Sequence, residues 1–202
     1  MTAPTYKPLS PPADGFEIFT CKSPFNLNAC LHFMHDMKYG YVEGYRDASI
    51  ILFQHIFDTK TNIDTLIYPL LFLIRHHFEL RFKNIINLLY MLDIRDSPPD
   101  TIHNLKSLWE ECSKDIADFV SSDDAHWFPS IQSLMNEFTA IDAKADAFRF
   151  TKTKKGKLSL ADIRHINLRN LFNIVTPVME WLEGLEMYLS DLVNQHCEQE
   201  KS

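Results

Sequence analysis

Apolar side chains recur every three or four residues along much of this chain, which is the spacing of helices packed against a core. The strongest run lies within residues 66–89, where one helical face carries Leu71, Ile74, Phe78, Phe82, Ile85 and Leu89. A second run near the C terminus carries Leu171, Ile174, Val178, Trp181, Leu185, Tyr188 and Leu192. The pattern predicts two long helices as the framework of the fold.

Capping residues and prolines mark where further helices begin and end. The predicted helices are 23–37 after Ser23-Pro24, a continuation to about 57, 65–93 after Asp64, 102–121 after Asp100 or Thr101, about 128–140, and a last helix after the capping box Ser159 and Asp162. Five or six helices with short connections predict an all-α, single-domain, up-and-down bundle.

The N-terminal segment differs from the rest of the chain. Residues 1–22 contain four prolines and show no apolar periodicity. Proline lacks the amide hydrogen that a helix needs, and unanchored chain ends are commonly poorly ordered. We therefore expect an extended or disordered arm over residues 1–22 and a helical bundle domain over residues 23–198.

Composition narrows the chemistry that the chain can perform. Its five glycines form no phosphate-binding loop, and its nine histidines form no HExxH metal motif, so we expect neither a cofactor nor a metal. The four scattered cysteines are expected to be reduced thiols. The longest apolar run, residues 66–74, is too short to span a bilayer. The sequence thus predicts a cytoplasmic protein without a membrane segment.

Charge is distributed unevenly along the chain. Residues 147–170 hold seven cations against the single acid Asp162, a net charge of +6. Since the whole chain has a net charge of −7, the remaining residues together carry −13. Acids cluster within residues 109–124, and the candidate partner-binding surface consists of Glu110, Glu111, Asp115 and Asp118. An acidic body favours a basic protein partner. The alternative interpretation is that these residues are solvated helix faces.

The strongest predicted helix carries charges beside its apolar face. Arg75, Glu79 and Lys83 are spaced four residues apart, so they form a stripe along that helix. A carboxylate with a cation one turn away on each side can be neutralised and hydrogen-bonded by these cations in a partly closed environment. The stripe predicts that this helix borders a polar pocket or groove.

Three polar motifs in this order carry a family resemblance: RHHFELRFK from Arg75, HNLKSLW from His103, and DAFRF from Asp146. Over residues 40–190 the chain resembles bacterial HEPN-like helical proteins. The resemblance implies a helical bundle acting in a bacterial conflict system, as a toxin immunity protein, an antitoxin or a phage-defence protein. Many members of that family are metal-independent ribonucleases with an Arg and a His separated by four to six residues. Here the corresponding positions after Arg75 are Leu80, Arg81 and Phe82.

Two functional hypotheses remain open at this point. In the first, Arg75, Glu79, Lys83, His103, Asp146 and Arg149 form a polar network or pocket in a non-enzymatic protein that neutralises a basic toxin, possibly a nuclease, by direct binding. In the second, Arg75, His103 and Arg149 converge as a catalytic site that cleaves RNA such as tRNA. Nucleic acid is a partner only under the second hypothesis, and a homodimer is compatible with both.

Overall fold

The computed structural model describes residues 18–33, 37–99 and 101–199. Its helices confirm the prediction of an all-α protein, and the described residues contain no β-strand, only one isolated bridge between Lys152 and Leu158. The five α-helices are α1 (Lys38–Thr59), α2 (Ile63–Met91), α3 (Leu105–Asp115), α4 (Trp127–Asp142) and α5 (Leu168–Gln199). Short 3-10 turns occupy Phe25–Leu27 and Ala117–Phe119.

The chain divides into two compact units, residues 1–35 and residues 36–202. The predicted helix over residues 23–37 is wrong, because among the described residues of that range, 23–33 and 37, only the turn Phe25–Leu27 is helical. The Asn28 side-chain amide donates to the Lys22 carbonyl at 2.8 Å, and its oxygen accepts from the Lys22 amide at 3.2 Å. Such local side-chain bonds compete with helical ones. Residues 1–17 of the predicted arm lie outside the described residues.

Helix α2 is the centre of the second unit. It packs against α1, α3 and α5, while α4 packs against α3. Its predicted apolar face is buried, with Ile74, Phe78, Phe82 and Ile85 fully inaccessible to solvent. Each such side chain stabilises the fold by about 1.5–3 kcal/mol relative to an exposed one. The α2 backbone is therefore held in place on several sides, which fixes the directions of the polar side chains that it carries.

Three predicted helix starts are wrong. Asp64 lies within the first turn of α2, which begins after Asn62. Helix α3 begins later than predicted because Asn104 Oδ1 accepts the Ser107 amide at 3.0 Å. Helix α5 begins at Leu168, where Asn167 Oδ1 accepts the Asn170 amide at 2.9 Å, and Ser159 is not its cap. Asparagine is among the best N-cap residues, so a cap nearer the apolar run replaces the predicted one.

Helices α2 and α5 continue through Pro69 and Pro177, respectively. A proline is tolerated there because the remaining backbone bonds of a long, packed helix compensate for the missing amide. Within the described ranges, no helix combines the length and apolarity that crossing a bilayer requires.

Candidate functional site

Glu79 is the centre of a buried charge cluster on α2. Its side chain is 4% exposed and accepts hydrogen bonds from Arg75 Nη1 at 2.8 Å and Lys83 Nζ at 2.8 Å. His103 Nδ1 lies 2.7 Å from the same carboxylate. The two cations occupy the positions that the four-residue spacing predicts, because side chains one turn apart are neighbours on a helix.

These bonds determine the ionisation of Glu79. Burial alone would raise the pKa of the carboxyl group, but hydrogen bonds from Lys83, Arg75 and His103 outweigh it and lower the pKa to about 2. Glu79 is therefore a carboxylate at neutral pH. Since a carboxylate only accepts hydrogen bonds, His103 must carry its ring hydrogen on Nδ1, which leaves a lone pair on Nε2 in the neutral ring.

Arg75 connects α2 to two other parts of the protein. Its guanidinium is completely buried, and Nη2 donates to the His103 carbonyl just before α3. Its Nε lies 3.4 Å from Asp142 Oδ2 at the end of α4. Asp142 Oδ1 in turn accepts the amides of Asp146 and Ala147 at 2.7 and 2.9 Å. Arg75, Glu79, Lys83, His103 and Asp142 together form what we call the Glu79 network.

One edge of the Glu79 network reaches solvent. The His103 side chain is 64% exposed and the Lys83 side chain is 22% exposed, whereas Arg75, Glu79 and Asp142 are buried. The buried carboxylate fixes the orientation of the exposed imidazole. His103 is therefore the member of the Glu79 network that a molecule in solvent can contact most directly.

Two residues predicted for this cluster lie beside it instead. Arg149 pairs with Asp146 at 3.1 Å and donates through Nε to the Ala145 carbonyl at 2.6 Å. Its guanidinium lies over the Phe72 ring, 5.6 Å from the centroid. Among the contacts of the described residues, none joins Arg149 to Arg75 or His103. Asp146 reaches the network only through its backbone amide on Asp142.

The predicted acidic surface is partly neutralised within the fold. Arg95, in the segment after α2, binds Asp115 at 2.5 Å and also binds Glu111. Glu110 is half exposed, 3.7 Å from Lys106, and Asp118 is exposed in the 3-10 turn after α3. Of the four predicted acids, Glu110 and Asp118 are therefore the more accessible to a partner.

A second buried cluster on α2 was not predicted. Arg81 is 1% exposed and binds Glu43 of α1 and Glu186 of α5, each at 2.5 Å. Asn84 also donates to Glu186, at 2.8 Å. Burial raises the pKa of Glu186, Arg81 and Asn84 oppose that rise, and the Glu43 charge adds to it. Arg81, Glu43, Asn84 and Glu186 form what we call the Arg81 network.

A sequence signal for the Arg81 network existed. Glu186 lies on the apolar face of α5, between Leu182 and Leu189, where a lone carboxylate needs a buried cation. Arg81 lies within the RHHFELRFK motif, off the Arg75–Lys83 stripe. No comparable signal marks Asp142, because its partners depend on how α4 meets α2.

Comparison with known proteins does not identify a family: no protein-family model, no curated protein and no solved structure matches this chain. No group of three or more potential metal ligands occurs within the described parts of the chain. The arguments about function therefore depend on the geometry of this protein alone.

Proposed function

We propose that this chain is a non-enzymatic binding protein of a bacterial conflict system. It would act in the cytoplasm as an immunity protein or antitoxin that neutralises a basic toxin, possibly a nuclease, by direct binding. Under this proposal the helices form a HEPN-like, up-and-down bundle that presents acidic surfaces to the toxin.

The observation that carries the proposal is that the Arg75 guanidinium is already bound to other groups inside the protein. A catalytic arginine must direct its guanidinium at the reacting phosphate. Arg75 is fully buried, hydrogen-bonded to Glu79 and the His103 carbonyl, and ion-paired with Asp142 at 3.4 Å. Releasing it would leave buried Asp142 without a cation and Glu79 with only Lys83 and His103, which is strongly unfavourable in the interior. This favours a structural role for Arg75.

Surface charge supports a basic partner. Glu110 and Asp118 are accessible beside α3, and Glu180 and Asp191 are exposed on α5. Complementary charges accelerate association and are screened by salt over about 8–10 Å at physiological ionic strength. Capture of a basic toxin should therefore slow as the salt concentration rises.

The test uses the product of each gene adjacent to this one as a candidate toxin. Each candidate is expressed in a sensitive host with and without this chain, and growth is measured together with the association rate of the purified pair. The double variant Glu110→Lys, Asp118→Lys should slow association about tenfold or more at low salt. The matched control is Asp47→Lys, Asp58→Lys on α1, which changes the total charge equally and should associate at the wild-type rate.

Failure of the unmodified chain to bind any neighbouring product or to restore growth would contradict the proposal. Equal slowing by both double variants would show that total charge, and not the surface near α3, controls association. In that case the assigned surface is wrong even if binding occurs.

The exposed His103 ring favours a second candidate function, metal-independent cleavage of RNA. Buried Glu79 orients the ring, and Lys83 adds a positive charge next to it. The assay incubates purified protein with total tRNA and a metal chelator, alongside His103→Ala. Cleavage that His103→Ala abolishes without lowering the melting temperature would favour this function over the inhibitor. An intact tRNA pool leaves the inhibitor as the better proposal.

A further inference from the structure

A pocket of about 610 Å³ lies between the start of α2 and the segment of residues 147–168. This volume falls within the roughly 300–1,000 Å³ typical of small-molecule sites. Its wall is mostly apolar and includes Ile67, Tyr68, Phe148, Phe150, Leu160 and Ile163. Tyr68 and Phe150 remain about half exposed, so their rings are available to a ligand.

The pocket contains polar groups that the fold does not use. Arg164 lines it, is exposed, and makes no ion pair or hydrogen bond with any described residue. The Ser159 hydroxyl, also in the lining, is buried and has no hydrogen-bond partner among these residues. A buried hydroxyl without a partner is unfavourable, and a ligand atom at that position would remove the cost.

A short hairpin places further positive charge at this side of the protein. Thr153 N donates to the Lys157 carbonyl at 2.8 Å, and Ser159 N donates to the Thr151 carbonyl at 2.9 Å. Gly156 makes the turn with φ of +77°, a conformation that glycine adopts readily. Arg149, Arg164 and the acid Asp64 line the pocket, which gives its lining a net positive charge that attracts anions. Four lysines lie in the hairpin segment between Arg149 and Arg164.

We propose that this pocket binds a small organic anion, a carboxylate or a phosphate ester, that carries an aromatic ring. The Arg164 guanidinium would bind the anionic group, and the Ser159 hydroxyl would bond a polar atom of the ligand. The ring would lie against the wall that includes Tyr68 and Phe150. None of these residues belongs to the Glu79 network or to the acidic surface, so this site is independent of the proposed function.

The test titrates the full chain with three fluorescent probes of one shape: 2-naphthoate, 2-naphthyl phosphate and uncharged 2-naphthamide. We expect saturable binding of at least one anion, with the amide at least about tenfold weaker, because a charged group bonded to arginine contributes strongly. The preference between the two anions distinguishes a carboxylate ligand from a phosphate ester.

Three variants locate the site. Arg164→Gln should weaken binding of the anion by about tenfold or more, and Thr151→Trp, which fills part of the pocket, should weaken all probes. Lys155→Gln is the matched control, because this exposed hairpin cation does not line the pocket and its loss removes the same charge. It should change affinity by less than about twofold, since exposed charges are screened. Melting temperatures establish that each variant is folded.

Several outcomes would overturn the proposal. These are no saturable binding of either anion at millimolar concentration, equal affinity for the uncharged amide, or a loss in Lys155→Gln as large as that in Arg164→Gln. Displacement of the naphthyl anion by a single-stranded oligonucleotide of much higher affinity would also overturn it, because the surface would then be a nucleic-acid site.

Discussion

The two charge networks on α2 are close in sequence and differ in construction. In the Glu79 network, one carboxylate receives Arg75, Lys83 and His103, and two of these partners lie on the same helix. In the Arg81 network, one guanidinium serves two carboxylates from α1 and α5. The first network reaches solvent through His103, while the Arg81 side chain is enclosed.

Charge balance explains the opposite behaviour of the two central carboxyl groups. Two cations accompany Glu79 and Asp142, so Glu79 has a pKa lowered to about 2. Arg81 binds both Glu43 and Glu186, Arg46 lies 3.5 Å from Glu43 alone, and burial raises the pKa of Glu186. The buried Arg81 guanidinium joins three helices and therefore favours one packing. The Glu79 network, which has an edge open to solvent, is the better candidate for chemistry.

The largest expected effect comes from breaking the enclosed network. Arg81→Met leaves buried Glu186 without a cation and Glu43 with only Arg46 at 3.5 Å, and should lower the free energy of unfolding by about 4 kcal/mol. Urea denaturation monitored by circular dichroism measures the change. The triple variant Arg81→Met, Glu43→Gln, Glu186→Gln removes the stranded charges and should recover most of the loss. A single variant as stable as the wild type would contradict the network.

Glu79→Ala should have a somewhat smaller effect, about 3 kcal/mol, because buried Arg75 loses its hydrogen-bonded carboxylate and keeps only Asp142, at 3.4 Å, as an anionic partner. Lys83, by contrast, can turn toward solvent. The same denaturation measurement applies. His103→Ala is the control on the open edge: its ring is mostly exposed, so its loss should cost less than about 1 kcal/mol. If the two variants were equally destabilised, the distinction between a buried centre and an open edge would be wrong.

A pH titration sharpens the comparison through His77, which is buried next to the Arg81 network. Burial and the nearby Arg81 lower its pKa to about 3, while Nδ1 donates to the Val42 carbonyl. The unfolded chain binds this proton below about pH 6.5 and the folded chain does not. Stability from this group is thus present above pH 6.5 and is lost as the pH falls toward 3.

At pH 4.5 the His77 loss should reach about 2–3 kcal/mol, at roughly 1.4 kcal/mol per pH unit. The measurement compares the pH dependence of unfolding in the wild type and in His77→Asn, which keeps an amide donor near Val42. The variant should lose less stability between pH 7 and pH 4.5. Glu186, whose pKa is raised, acts in the opposite direction in both proteins and cancels in the difference. Parallel pH profiles would contradict a neutral, buried His77.

The fold class and the centre of the site were predictable from local patterns. The spacing of apolar residues predicted α2 and α5, and the spacing of Arg75, Glu79 and Lys83 predicted two of the three bonds to Glu79. Helix starts were less predictable, because several polar residues near each start could serve as caps. Asn104 and Asn167 were selected over Thr101 and Ser159 in the folded protein.

What the sequence by itself determined is therefore local: 3.6 residues per turn place Arg75, Glu79 and Lys83 in contact wherever that helix lies. The sequence indicates that Glu186 needs a buried cation, but tertiary structure decided that Arg81 pairs with Glu186 and Glu43, which are 105 and 38 positions away along the chain. Tertiary structure also brought Asp142 to Arg75 and left Arg149 outside the Glu79 network. The physical reason is that helix periodicity constrains neighbours within a turn, whereas contacts between helices depend on how whole apolar faces pack.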